Sequence, residues 1–214
     1  HASVVGFGRP LQMGPAASAG SARPSVFHPI PCVAGRVMAQ ELEALGKFRD
    51  PPHPVVFVLG GAKPDDSLPI LKAWLDAGKL DYALCGGVLG SLMLLASGRE
   101  LGATKEFLEK KKALDKLDEA RALLSSYPKK IVLPSDVVVD ADGIPSVLDV
   151  GQLPSPHSIA DIGPQTAQRF ATIIRSAGSI VLNGPMGVYE KDAFASGTRL
   201  VLQAIASSSS ASFR

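Results

Sequence analysis

Apolar residues run without interruption from Val55 to Leu59 and stop at Gly60-Gly61, the pattern of a strand buried on both faces. From Ser67 to Ala77 the period changes. Leu68, Leu71, Trp74 and Leu75 recur at helical spacing with Ile70 beside them, and Gly78 supplies a C-terminal cap. Tyr82-Ala83-Leu84-Cys85 repeats the strand signature ahead of Gly86-Gly87, and Val88 to Ala96 repeats the helix. Lys105 to Tyr127 reads as one longer helix whose apolar members Phe107, Leu108, Leu114, Leu117 and Leu124 alternate with charges. Ile131-Val132-Leu133, Val137-Val138-Val139 and Ile180-Val181-Leu182 are strand-like, and Pro164 to Ala177 is a helix opened by proline. Strands alternating with helices imply crossover connections, so the predicted fold class is α/β: a mostly parallel sheet with helices on both faces, a Rossmann-like three-layer sandwich.

Before this region the chain reads differently. Residues 1–31, with Gly14-Pro15-Ala16-Ala17-Ser18-Ala19-Gly20 among them, show neither period and read as a linker or insertion. Residues 32–53 hold a helix on Val37, Met38, Leu42 and Leu45, closed by Pro51-Pro52, and residues 54–214 form the α/β domain. The run from Ser207 to Ser212 reads as a polar loop. The chain opens on His1 with no charged segment leading into an apolar run, which predicts a piece of a larger protein.

Composition narrows the classes. With 214 residues, 46% of them hydrophobic and 20% charged, the chain can bury a core, which excludes disorder as a global description. Lys and Arg number 22 against 20 Asp and Glu, a net +2, too little for a nucleic-acid or membrane-surface protein by bulk electrostatics. Any anion site must therefore be local. Cys32 and Cys85 form neither a C-x-x-C pair nor a disulfide framework, which fits a reducing compartment and predicts a cytoplasmic location. The uncharged stretch from Tyr82 to Gly98 is too short and too rich in glycine for a bilayer span.

In a parallel sheet ligands bind beyond the carboxyl ends of the strands. Three loops there are glycine-rich: Gly60-Gly61-Ala62-Lys63, Gly86-Gly87 and Asn183-Gly184-Pro185-Met186-Gly187. Glycine admits a flat ligand or a phosphate close to the backbone, although each pair equally suits a tight strand-to-helix turn. Lys63 adds a cation where a strand hands over to a helix, the place at which a lysine neutralises phosphate oxygens; a solvated surface lysine is its other reading. Asn183, the single asparagine of the chain, stands before a glycine, which is also a common turn pair. Glu190 could take sugar hydroxyls or be an ordinary loop carboxylate, and the helix expected after it carries Phe194. Lys110-Lys111-Lys112 reads as a solvated helix face. No G-x-x-x-x-G-K-[ST], G-x-G-x-x-G or G-x-S-x-G occurs, and the four histidines lack metal-ligand spacing, so no metal-binding residue is predicted.

Val55 to Lys63 (VVFVLGGAK), Gly86-Gly87, Leu133 to Val139 (LPSDVVV), Asp161-Ile162-Gly163-Pro164 and Asn183 to Glu190 (NGPMGVYE) together resemble phosphoglycerate kinase, of archaeal-like type, over about residues 31–213. The resemblance implies the nucleotide-binding C-terminal lobe of a two-lobed, monomeric glycolytic kinase that moves a phosphoryl group between 1,3-bisphosphoglycerate and Mg-ADP. It implies that Gly60, Gly61, Gly86 and Gly87 wall the adenine pocket with Pro185 and Gly187. It implies that Lys63, the catalytic residue, contacts the phosphates and steadies the moving group. Asn183 matches a phosphate-side contact, Glu190 the carboxylate on the ribose hydroxyls, and Mg2+ arrives with ADP or ATP; no nucleic acid and no membrane is expected.

Departures accompany the match. The family's second nucleotide-loop lysine falls at Ser67, after Asp65-Asp66. The phosphoglycerate lobe and the family's final glycine-rich loop lie outside the resemblance, so the chain is expected to be truncated at both ends and inactive by itself. The alternative is a non-catalytic nucleotide-binding or structural module derived from that lobe.

Overall fold

Val55–Leu59 forms β1, with all five residues buried, in a computed structural model that describes residues 50–208. The expected linker over 1–31, the helix over 33–45 and the end of the serine-rich run lie outside the described residues. From β1 the chain continues through α1 (Pro64–Asp76), β2 (Tyr82–Cys85), α2 (Gly87–Ala96), α3 (Ala103–Lys110) and α4 (Leu117–Ser126). Then follow β3 (Ile131–Val132), β4 (Asp136–Ala141), β5 (Ile144–Asp149), β6 (Ile159–Ile162), α5 (Pro164–Arg175), β7 (Ser179–Asn183) and α6 (Ser196–Ser207).

Strands β3, β2, β1 and β7 lie in that order in one parallel sheet. Alternate residues of β1 face opposite layers, as strand geometry requires. Val55, Phe57 and Leu59 pack with Leu68, Leu71 and Leu75 of α1, Leu89 and Leu92 of α2 and Leu123 of α4. Val56 and Val58 pack with Phe170 and Ile174 of α5 and Val201 of α6. The result is the predicted three-layer α/β sandwich. Phe57 and Phe170 are 1% and 0% exposed, and burial of each contributes roughly 2 to 3 kcal/mol. The Gly78 cap is also found: its N–H donates to Leu75 O and that of Lys79 to Trp74 O, the paired bonds of a Schellman ending.

Four local expectations are corrected. Helix α1 starts at Pro64 rather than Ser67, because proline suits the first helical position. The single helix expected over 105–127 is broken, α3 ending at Lys110 and a short 3-10 turn, Ala113–Lys116, preceding α4. Lys112 turns the chain with φ of +57°, a left-handed conformation through which a right-handed helix cannot continue. Phe194 lies in a short 3-10 turn, not in the following helix. Finally, β4 is not a strand of the parallel sheet: it is the centre of a second, antiparallel sheet in the order β5, β4, β6.

Candidate functional site

Leu59 is in register with Cys85 on one side and Asn183 on the other, so the glycine loops after β1, β2 and β7 leave the sheet side by side. They are tied by backbone hydrogen bonds. The Gly60 N–H donates to Asn183 O (2.8 Å), Gly61 N–H to Pro185 O (2.7 Å), Gly86 N–H to Leu59 O (2.8 Å), Gly87 N–H to Met186 O (2.8 Å) and Val88 N–H to Gly61 O (3.0 Å). Gly60, Gly61, Gly86, Gly87, Asn183 and Pro185 therefore share one edge. Gly187 follows on, and its loop is fastened to β6 by Val188 N–H donating to Ala160 O (2.7 Å). Glu190 is exposed a few residues beyond, next to Lys191, which pairs with Asp140 at 3.2 Å.

Space around these glycines is unequal. A Cβ on Gly60 would lie 2.0 Å from Pro185 O, one on Gly86 2.7 Å from Met186 Sδ, and one on Gly187 2.3 Å from Ala160 O. At those positions the loops use the missing side chains to pack on each other. Gly61 differs: its φ is +81°, and the nearest atom to its Cβ position, Gly184 Cα, is 3.6 Å away.

Lys63 stands at the N-cap of α1 with its side chain exposed, and no side chain caps the helix. Pro64 has no N–H, and the N–H groups of Asp65 and Asp66 have no acceptor among the described residues. One turn further on, Ser67 is 2% exposed and accepts a hydrogen bond from Asn183 Nδ2 at 3.0 Å. A helix start with free donors, partial positive charge and an adjacent ammonium is suited to an anion.

Two buried carboxylates support the surroundings. Asp136 accepts from Gln165 N–H (2.9 Å), Thr166 N–H (2.7 Å) and the Thr166 hydroxyl (2.6 Å), closing the start of α5. Asp161 accepts from Ile162 N–H (2.9 Å) and Gly197 N–H (2.7 Å), the latter in the first turn of α6. Burial pushes the Asp161 carboxyl up to about 6 against the pull of those donors. Cys85, under Gly86, is pushed up to about 12 by burial and is no nucleophile. A cavity of about 10 Å³, room for one water, touches Gly86, Gly87, Met186 and Asp161. Larger hollows are also present: about 590 Å³ between α3 and Pro154-Ser155-Pro156, and about 320 Å³ against the glycine edge itself, lined by Gly184, Pro185, Met186, Tyr189 and Leu202. Among the described residues no three His, Cys, Asp or Glu converge on a metal position.

The family model described as phosphoglycerate kinase matches residues 17–214. The chain belongs to the phosphoglycerate kinase family. It is 39% identical over 186 residues to the phosphoglycerate kinase of Natronomonas pharaonis, covering 85% of this chain and 47% of that one. To the enzyme of Methanopyrus kandleri it is 40% identical over 181 residues, covering 84% and 45%. The crystal structure of phosphoglycerate kinase from Pyrococcus horikoshii OT3 superposes with a TM-score of 0.77 at 37% identity, covering 82% of this chain and 45% of that one. That from Coxiella burnetii gives 0.69 at 32% identity over the same shares. The chain spans about half the length of the curated relatives it matches. No helix among the described residues is long and apolar enough to cross a membrane.

Three contributions escape the sequence reading: the caps by Asp136 and Asp161, and the bond between Ser67 and Asn183. Asp161-Ile162-Gly163-Pro164 and Leu133 to Val139 carry the two aspartates within motifs, but no signal there names the helices they serve, whose donors lie 30 positions on for Asp136 and 36 for Asp161. The third had none either, since its partners are 116 positions apart.

Proposed function

We propose that this chain supplies the nucleotide-binding half of a phosphoglycerate kinase, which transfers a phosphoryl group reversibly between 1,3-bisphosphoglycerate and ADP to give 3-phosphoglycerate and ATP. The observation that carries the reading is the uncapped start of α1 with Lys63, set on the shared glycine edge of a chain of this family. Phosphoryl transfer asks little covalent chemistry of the protein; it asks for in-line positioning and neutralised charge. The ammonium of Lys63 neutralises phosphate oxygens, and the N–H groups of Asp65 and Asp66 donate to them. Gly61, Gly87 and Pro185 border the base, Asn183 faces the phosphates, and Glu190 takes the ribose hydroxyls. Magnesium enters as part of the substrate, carried on the nucleotide's phosphates with most of its waters.

In the forward direction an oxygen of the ADP β-phosphate attacks the acyl phosphate. The bond from phosphorus to the carboxylate oxygen breaks, and 3-phosphoglycerate leaves. A monomeric state and a cytoplasmic location accompany this reading. Calorimetric titration of the folded chain with Mg-ADP and Mg-ATP tests it. Saturable binding of either below millimolar concentration is expected; no binding of either by a folded sample would overturn the reading.

A further inference from the structure

Ser67 sits one helical turn after Lys63, so the two residues follow each other along one face of α1. Its hydroxyl is buried, accepts from Asn183 Nδ2 at 3.0 Å, and has no acceptor for its own proton among the described residues. Asn183 ends β7 and is half-buried, with its backbone carbonyl engaged by Gly60. Its side chain therefore stands on a fixed backbone, with one Nδ2 proton held by Ser67 and the other without an acceptor among the described residues. A carboxamide is a donor at one end and an acceptor at the other, and a hydroxyl serves equally as donor and acceptor.

The structure assigns Ser67 the role of a positioning residue for Asn183: by accepting one of the two Nδ2 protons it fixes the carboxamide and keeps the second Nδ2 proton for a phosphate oxygen. The inference rests on the nucleotide reading above. Its physical basis is the difference between the two ends of the amide. The nitrogen carries two N–H donors, so the bond to Ser67 leaves one of them for an anion, whereas the oxygen would repel it. An ammonium at position 67 can only donate, and would draw the amide oxygen toward itself instead. The hydroxyl, which can accept, thus selects the orientation of the amide and makes Asn183 a reader of phosphate rather than of adenine.

Because Asn183 is the only asparagine, selective 15N-asparagine labelling of the full chain gives a single side-chain NH2 pair. In the wild type that pair should move on adding Mg-ADP and stay in place on adding adenosine. Ser67→Ala should shift the pair in the free chain and weaken Mg-ADP about three- to tenfold, the range of one neutral hydrogen bond, with adenosine affinity level. Ser67→Thr should restore both. In an Asn183→Ala background Ser67→Ala should cost no further affinity. Thermal melts follow folding, and the wild-type titration stands even where a variant fails to fold. Equal losses for Mg-ADP and adenosine, or an undiminished loss in the Asn183→Ala background, would overturn the assignment. A wild-type chain that binds Mg-ADP with an unmoved amide pair would overturn it alone; a folded chain that binds no nucleotide would overturn the nucleotide reading and this inference together.

Discussion

Helices α1 and α5 both begin with proline at the first position, after a four-residue glycine loop in one and a single glycine in the other, and end up chemically opposite. The start of α5 is filled from within: Gly163 leaves room for the Asp136 carboxylate, whose Cγ would lie 2.2 Å from a Cβ there, and two backbone N–H groups and a hydroxyl donate to it. The first turn of α6 is served likewise by Asp161. At α1 no side chain accepts from the first N–H groups: Lys63 is the N-cap residue, and the Asp65 and Asp66 carboxylates of the first turn are exposed. Two helix starts are closed by the protein's own anions and one is left with free donors, a lysine and three packed glycine loops around it. The contrast separates stability from binding: carboxylates under α5 and α6 serve the fold, while on the proposed reading the open start of α1 takes an anion from outside.

The largest effect should come from breaking a closed end. Asp136→Ala removes the acceptor of the Gln165 and Thr166 N–H groups, while the Thr166 hydroxyl keeps the Asp136 backbone carbonyl at 3.0 Å. A loss of about 3 to 5 kcal/mol is expected by chemical denaturation, since each orphaned group costs roughly 1 to 3 kcal/mol. A loss below about 1 kcal/mol would mean that α5 is not held in this way.

Gly60→Ala attacks the open end through its packing. A methyl group 2.0 Å from Pro185 O forces the loops after β1 and β7 apart. Destabilisation by about 2 to 3 kcal/mol is expected, with weaker Mg-ADP binding, because overpacking shifts backbone. A variant of wild-type stability would show that these loops part freely.

Acidity sharpens the contrast at α6. The native Asp161 carboxyl titrates near 6 against an ordinary value of 3.8, so between these values the native state holds more protons than the unfolded one. Stability should therefore fall as pH rises from about 4 to 6, with a penalty of roughly 2 to 3 kcal/mol complete above that window. Asp161→Asn should flatten this slope. Asp76, beside Lys72, and Asp140, held by the Gly143 N–H and Lys191, are shifted down and act in the opposite sense. Both are on the surface, where such pairs contribute little. Unfolding midpoints at several pH values for the wild type and Asp161→Asn check the sign; a wild type that gains stability from pH 4 to 6 by as much as the variant would contradict it.

How much of this could be read in the chain follows from range. Strands β1, β2 and β7 announce themselves as apolar runs, buried throughout in β1 and for the most part in β2, and each glycine pair or loop follows its strand directly in sequence. Strand β5 is an edge, with Ile144 and Val147 exposed and Pro145 inside it, so its residues carry no alternation that separates them from a turn. The break after α3 carries no breaker in the sequence: neither glycine nor proline stands between Leu108 and Leu117, and the charged run continues across it. The glycine edge and Lys63 were legible because each is a local signal. The caps by Asp136 and Asp161 and the partner of Asn183 were not, because each joins residues that only the finished sheet order brings together.

The central claim is that α1 keeps its start open for phosphate, and Lys63→Ala tests it most directly. Titrating the wild type and this variant with Mg-ADP and with adenosine, alongside a thermal melt of each, separates the possibilities. Stability should stay within about 0.5 kcal/mol, as for a surface side chain. Mg-ADP affinity should fall by the roughly 1.5 to 3 kcal/mol of a charge-assisted bond, about ten- to a hundredfold, while adenosine binds as before. Equal weakening of both ligands, or unchanged Mg-ADP affinity, would contradict the account.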